Sequence, residues 1–180
     1  MSGYTEIFQV MMAMTLVSIM VLNANRLIQT NNIVLVEGHL EEQIVAYAQD
    51  IIEESRALSF DEQTTDVDSD GENDVPVYIP EGFSTLGTET GESSRDEFDD
   101  FDDFHNWSAT VEINDITYNV STTVEYVETS DYKSYSKTSS GTKSTLKRLI
   151  VNIQTKYLTE YTSREERVYS FDFVRSYYAD

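Results

Sequence analysis

One uninterrupted apolar stretch constrains the fold of this chain more than any other feature of its sequence. From Tyr4 to Leu22 there is no proline and no glycine, and Glu6 is the single charged residue. Hydrocarbon offers no partner for free backbone N–H and C=O groups, so such a segment crosses a bilayer as a helix. A bilayer core needs about 17–20 apolar residues. The stretch therefore predicts a membrane-spanning helix. A cleaved secretory signal is disfavoured, because no basic residue precedes the stretch and no small-x-small site follows it.

The helical pattern continues beyond the apolar stretch. No proline occurs before Pro76, and from Leu40 to Leu58 apolar residues recur with a period near 3.6 while acidic residues occupy the other face. This pattern predicts one helix that continues to about Ser59, with its second half lying along a soluble domain. The sequence divides into four segments: a helix that lies in a membrane or among copies of itself (1–25), an amphipathic continuation (26–60), an acidic loop region (61–106) and a β-sheet domain (107–180).

From residue 107 onward the period of the sequence changes to two, which is typical of half-buried strands. Strands are predicted at 108–113, 117–127, 146–158 and 167–177, with a turn at Asn114-Asp115 and a polar loop at 129–144. The expected inward-facing residues are Ala109, Val111, Ile113, Tyr118, Val120, Thr122, Val124, Tyr126, Leu149, Val151, Ile153, Thr155, Tyr157, Tyr169, Phe171 and Phe173. Short links between consecutive strands make an antiparallel sheet. The predicted fold class is α+β, with the long helix packed on a four-stranded antiparallel sheet.

The charge of the chain is large, negative and uneven. Its formal net charge is −21, and residues 1–104 hold 23 acidic and 3 basic side chains. Nucleic acid is therefore an improbable partner, whereas cations and basic surfaces are favoured. The chain has no cysteine, which excludes disulfides and thiol chemistry. It also lacks the Gly-rich phosphate loop, the G-x-S-x-G and the H-E-x-x-H patterns, so we expect no enzyme and no catalytic residues.

A regularly spaced acidic loop is the sharpest local motif. Carboxylates alternate along it and are followed by Gly71, which permits a tight turn. Ca²⁺ takes 6–8 oxygen ligands, and this spacing wraps a chain around one ion. The loop resembles the calcium loops of EF-hand and thrombospondin-type domains. The predicted calcium ligands are Asp66, Asp68, Asp70, Glu72 and Asp74. The alternative is a solvated acidic loop without an ion.

A second acidic segment alternates with aromatic residues at a period of three. Phe98, Phe101 and Phe104 are predicted to reach the core from a docked turn. The carboxylates between and before them are predicted to form a solvated rim, and the alternative is a second cation site; they are Glu97, Asp99, Asp100, Asp102 and Asp103.

The order of these elements resembles the type IV pilin and type II secretion pseudopilin superfamily. Residues 51–62 are similar to the end of the first helix in that superfamily, and residues 98–107 to its acidic Phe-Asp-Asp segment before the sheet. The resemblance implies a structural subunit that sits first in the inner membrane. An assembly platform then extracts it, and identical subunits polymerise through their apolar helices into an extracellular or periplasm-spanning helical filament.

The resemblance also implies a processing site and a set of inter-subunit residues. A prepilin peptidase would cut after Gly3 and leave Tyr4 first. The family places a Glu fifth in the mature chain, where this sequence has Phe8, and the nearby acidic residue is Glu6. Glu6 would neutralise a neighbour's terminal amine if the helices packed in a shifted register, and otherwise lies at headgroup level. The remaining residues expected between subunits are Met11, Met12, Met14, Leu16, Ile19 and Met20.

The sequence also contains two possible glycosylation sites, and a second interpretation of the whole chain is open. Asn106 and Asn119 each begin the N-x-S pattern of N-glycosylation. The second interpretation of the whole chain is a single-pass, membrane-anchored, acidic calcium-binding adhesin or binding module that does not polymerise.

Overall fold

The computed structural model describes residues 2–66, 72–160 and 165–179, with the side chains from Gly3 onward. Asp68 and Asp70 of the predicted calcium loop lie outside the described residues. The chain divides into two compact units, one up to Glu42 and one from Gln43 onward. Helix α1 (Ser2–Ala57) begins in the first unit and ends in the second. The predicted long N-terminal helix is thus confirmed.

The second unit contains an antiparallel sheet of five strands. They are β1 (Ser108–Ile113), β2 (Ile116–Glu128), β3 (Ser136–Lys137), β4 (Leu146–Thr159) and β5 (Glu166–Ser176). The strand order is β1-β2-β4-β5, and β3 pairs with the end of β2. The antiparallel sheet is confirmed, but the strand number was wrong. The sequence missed β3 because both of its residues are exposed, so its pairing leaves no hydrophobic pattern.

The predicted turn at Asn114-Asp115 is present and closes the hairpin between β1 and β2. Ile113 pairs with Ile116, which leaves a two-residue loop. Asn114 has a φ of 51° and Asp115 a φ of 64°. Asn and Asp tolerate this left-handed conformation better than other residues with a Cβ, and it matches the twist of a tight hairpin.

The inner face of β2 and β4 follows the predicted alternation over most of its length. The side chains of Tyr118, Val120, Val124, Leu149, Val151 and Ile153 are at most 3% exposed. The prediction was wrong at Tyr157, which is 50% exposed, while Leu158 is buried. The register between β4 and β5 shifts between Gln154 and Thr159. Between the pairs Gln154–Val168 and Thr159–Glu166, β4 advances five residues and β5 two, and an odd difference moves the following side chains to the opposite face of the sheet.

The last turns of α1 cover this inner face. Ile44, Ala48 and Ile51 are at most 1% exposed. The Tyr118 hydroxyl of β2 donates a hydrogen bond to Gln43 Oε1 at 2.6 Å. The amphipathic spacing of the helix therefore places one apolar stripe on the sheet, as expected for an α+β layer.

Candidate functional site

The first unit exposes many large apolar side chains, which are dense up to Leu22 and lie among polar residues beyond it. Every large apolar side chain from Tyr4 to Val36 is at least 52% exposed, and we call this set the apolar helix surface. By length and composition α1 could cross a membrane. The helix is therefore compatible with membrane anchoring, and the first unit does not bury this surface by itself.

The hydroxyl groups of Thr15 and Ser18, which lie among these apolar side chains, are satisfied inside the helix. Thr15 Oγ1 donates to the carbonyl oxygens of Met11 and Met12 at 2.9 and 2.8 Å. Ser18 Oγ donates to the Met14 carbonyl oxygen at 2.8 Å. Side chains bonded in this way need no water, so both lipid and another helix are acceptable surroundings.

The predicted processing and inter-subunit residues all lie on α1. Tyr4 is 86% exposed, and no heavy atom outside its own helix turn lies within 4 Å of a Cβ built on Gly3. Glu6 is exposed. The predicted inter-subunit residues are between 52% and 71% exposed; they are Met11, Met12, Met14, Leu16, Ile19 and Met20. Cleavage after Gly3 and contact between subunits stay predictions.

The described part of the predicted calcium loop consists of its two ends. Asp66 and Glu72 are exposed, and Asp74 is half-buried. The backbone N–H of Asp74 donates to the Thr65 carbonyl at 3.0 Å, which holds the two ends of the loop together. Calcium binding by this loop stays a prediction.

The acidic–aromatic segment, residues 98–104, is packed into the second unit. Phe101 and Phe104 are fully buried, so their rings reach the core as predicted. The prediction of a solvated rim was wrong for three carboxylates: Asp100, Asp102 and Asp103 are all 0% exposed.

Backbone amides hold these buried carboxylates in place. Asp100 Oδ1 accepts from the N–H groups of Asp102 and Asp103 at 2.7 and 3.1 Å. Asp103 Oδ2 accepts from the N–H groups of Asp99 and Asp100 at 3.0 and 3.1 Å. The aspartates thus shape a tight turn by satisfying its donors, which is a well-known use of Asp side chains.

A buried lysine compensates part of this negative charge. Lys147 is 0% exposed on the inner face of β4. Its Nζ donates to Asp61 Oδ2 at 2.7 Å and to the Phe60 carbonyl at 2.8 Å, and it is also bonded to Asp102 Oδ1. The Nζ lies 4.6 Å from the centroid of the Phe60 ring. A buried ammonium with three acceptors above an aromatic face is well satisfied.

The burial of Lys147 and of its neighbour Arg175 was not predicted, although the sequence carries a signal for both. Lys147 precedes Leu149 by two residues and Arg175 follows Phe173 by two, so both continue the inward alternation. They face each other across β4 and β5. Arg175 donates to the carbonyl oxygens of Ser59 and Ser55 at 3.0 and 3.3 Å, at the end of α1.

Burial of the aspartates in the acidic–aromatic segment raises the pKa of their carboxyl groups. Burial and then the charge of Asp102 raise the pKa of Asp100 to about 9, and Lys147 opposes this shift. Burial also raises the pKa of Asp103 to about 7, although two backbone N–H groups favour its charged form. The segment therefore binds protons more tightly than solvated aspartates do.

The two N-x-S asparagines are both exposed. Asn106 follows the acidic–aromatic segment with a φ of 60°. Asn119 lies on the outer face of β2, where its Oδ1 accepts from Thr110 at 3.2 Å. Both amides can be reached from solvent, and glycosylation stays a prediction.

Comparisons of the chain with protein-family models, with curated proteins and with solved structures give no match.

Proposed function

We propose that this chain is a pilin-like structural subunit that polymerises through α1 into an extracellular or periplasm-spanning helical filament. The observation that carries the proposal is the apolar helix surface, which is exposed on all sides of the helix. Burying each of its large side chains is worth roughly 1.5–3 kcal/mol, so a water-exposed monomer is strongly disfavoured. Lipid would cover this surface before assembly, and identical helices would cover it afterwards.

The extent of the apolar surface favours helix neighbours over lipid alone. Exposed apolar side chains are dense from Tyr4 to Leu22 and, after a mostly polar stretch, form a second cluster at 33–36; the 33 helical residues from Tyr4 to Val36 extend for about 50 Å. The hydrocarbon core of a bilayer is only about 30 Å thick. A lone membrane anchor would leave part of this surface outside the hydrocarbon, whereas packed copies of the same helix would cover it along its length.

The second unit fits the water-exposed part of such a filament. It has its own buried core between the end of α1 and the sheet, so it needs no partner to cover its inner face. The inner-membrane assembly platform and a peptidase acting at Gly3-Tyr4 are the further partners that this proposal requires. A membrane-anchored acidic binding module that never polymerises is the alternative.

Disulfide trapping distinguishes the filament subunit from the anchored binding module. The chain has no cysteine of its own, so every disulfide must form at an introduced position. We would express the full chain carrying Ile19→Cys in its native host, oxidise the intact cells and separate the products without reductant. Because one cysteine per subunit links at most two chains, a second variant carries both Met11→Cys and Ile19→Cys. The matched control is Val77→Cys, which is 87% exposed in a loop of the second unit.

The filament proposal expects a dimer from Ile19→Cys and a ladder of higher multimers from the double variant, with monomers from the control. Negative-stain microscopy of sheared surface material should then show fibres that contain this chain. Monomers from both helix variants, with no fibres, would contradict polymerisation and support the anchored module.

A further inference from the structure

Two carboxylates of the acidic–aromatic segment and one that precedes it in the chain lie close together. Glu92, Asp99 and Asp103 each offer one carboxylate oxygen, and these oxygens lie within 4.8 Å of one another. Asp103 is fully buried, Glu92 is half-buried and Asp99 is exposed. The group is thus closed on one side by protein and open to water on the other.

One of these carboxylates has a buried oxygen without a partner. Asp103 Oδ2 accepts two backbone N–H groups, which hold the carboxylate in position. Asp103 Oδ1 is buried and has no hydrogen-bond partner. One carboxylate oxygen of Asp103 lies within 4.8 Å of oxygens from both Glu92 and Asp99, so this buried carboxylate faces the group. Buried acceptors are nearly always satisfied in folded proteins, and an orphaned one points to a missing ligand.

No basic side chain of the described residues neutralises the group. Among residues 2–66, 72–160 and 165–179, none of the ion pairs includes Glu92, Asp99 or Asp103. The nearby cations are engaged elsewhere: Arg95 pairs with Asp50 and Glu54, and Lys147 with Asp61 and Asp102.

A second group of carboxylates adds to the same charge. Glu62 and Glu89 each bring an oxygen within 4.8 Å of one from Glu92. Glu89 Oε2 is likewise buried without a hydrogen-bond partner. A bound cation relieves the repulsion within such a crowded group of carboxylates.

We propose that Glu92, Asp99 and Asp103 bind one divalent cation, with Ca²⁺ as the best fit. All three ligands are carboxylate oxygens, which suit hard cations. Ca²⁺–oxygen distances are about 2.4 Å, so oxygens on opposite sides of one ion are about 4.8 Å apart. Water at the open side, together with Glu89 or Glu62, completes the 6–8 ligands that Ca²⁺ takes. The ion would tie the turn around Glu92 to the acidic–aromatic segment. The proposal does not depend on whether the chain polymerises.

Isothermal titration of the chelator-stripped full chain in detergent micelles with CaCl₂ tests this site. Because the predicted loop at residues 66–74 could also bind Ca²⁺, the parent for all comparisons carries Asp68→Asn and Asp70→Asn. Glu92→Gln and Asp99→Asn are then added singly. Glu92→Gln keeps the acceptor for the Glu89 N–H, which bonds Glu92 Oε2 at 2.8 Å. Asp115→Asn, in the exposed β1–β2 turn, is the matched control.

The parent and the Asp115→Asn control should bind Ca²⁺ alike, and Glu92→Gln and Asp99→Asn should each weaken binding at least tenfold. Urea unfolding in EDTA should give both variants at least the stability of the parent, because each removes one of the crowded negative charges; this result excludes misfolding as the cause of weaker binding. A parent that gives no Ca²⁺-dependent heat overturns the proposal. So do Glu92→Gln and Asp99→Asn variants that bind within threefold of the parent.

Discussion

Replacing Lys147 by methionine leaves two buried carboxylates without their ammonium partner. Lys147, Asp61 and Asp102 are all 0% exposed, and the Nζ contacts both carboxylates. Removing one member of a buried ion pair typically costs about 3–5 kcal/mol, because the remaining charge stays desolvated. Small domains have a total stability of only about 5–15 kcal/mol. We therefore expect Lys147→Met to remove a large fraction of the stability of the second unit.

Urea unfolding of the full chain in detergent micelles measures this loss. Trp107 is the single tryptophan, and its ring lies 6.3 Å from that of Phe104, so its fluorescence reports on the acidic–aromatic segment. Lys156→Met is the matched control, because Lys156 lies on the same strand and is exposed. Exposed substitutions of this kind usually change stability by less than about 0.5 kcal/mol.

A double-mutant cycle separates the ion pair from simple packing. In a parent that carries Asp61→Asn and Asp102→Asn, no charge is stranded when Lys147 is removed, so Lys147→Met should cost clearly less there. The reasoning is refuted if Lys147→Met lowers the free energy of unfolding by less than about 1 kcal/mol. It is also refuted if the loss is the same in both parents, since the lysine would then act through its hydrocarbon stem alone.

Two further changes test the same region by the same unfolding assay. Arg175→Met removes the donor to two carbonyl groups at the end of α1 and should lower the free energy of unfolding by about 1.5–3 kcal/mol. The control Arg56→Met, at an exposed site, should lower it little. Equal effects of the two substitutions would contradict a capping role for Arg175. Burial raises the pKa of Asp100 to about 9, above the unfolded value of about 3.9, so its contribution to stability is complete below about pH 4 and is lost as the pH rises towards 9. The Asp100→Asn variant has no group that titrates at this position, so its stability does not fall in this way. Its free energy of unfolding relative to that of the parent should therefore rise between pH 5 and 8, by up to about 1.4 kcal/mol per pH unit. A difference that does not change with pH would contradict the shifted titration.

Local patterns in the sequence were sufficient for helix α1 and for the four longer strands, but not for β3. The apolar run predicted the first part of α1, and the period of two predicted β1, β2, β4 and β5 to within a residue or so. The Asn114-Asp115 turn was also predictable, because its residue types tolerate the left-handed backbone that a two-residue hairpin needs. These features depend on neighbours close in sequence, so their signals are local.

The environment of the acidic–aromatic segment could not be predicted in this way. Alternating aspartates and phenylalanines fit a solvated rim as well as a buried turn, and the choice depends on a partner far along the chain. Asp102 is buried because Lys147, 45 residues later, reaches it from β4. The shift that exposes Tyr157 likewise depends on pairing with β5, which the sequence of β4 alone does not encode.

By itself, the sequence determined that the chain contains a long, strongly apolar helix followed by a sheet with one buried face. Hydrophobic periodicity carries that information, because burial acts on each residue according to its own side chain. Only the tertiary structure decided which charges are buried, which are paired and which three carboxylates face one another. Electrostatic energies depend on the distance between groups and on their exclusion from water, and both are set when distant segments pack together.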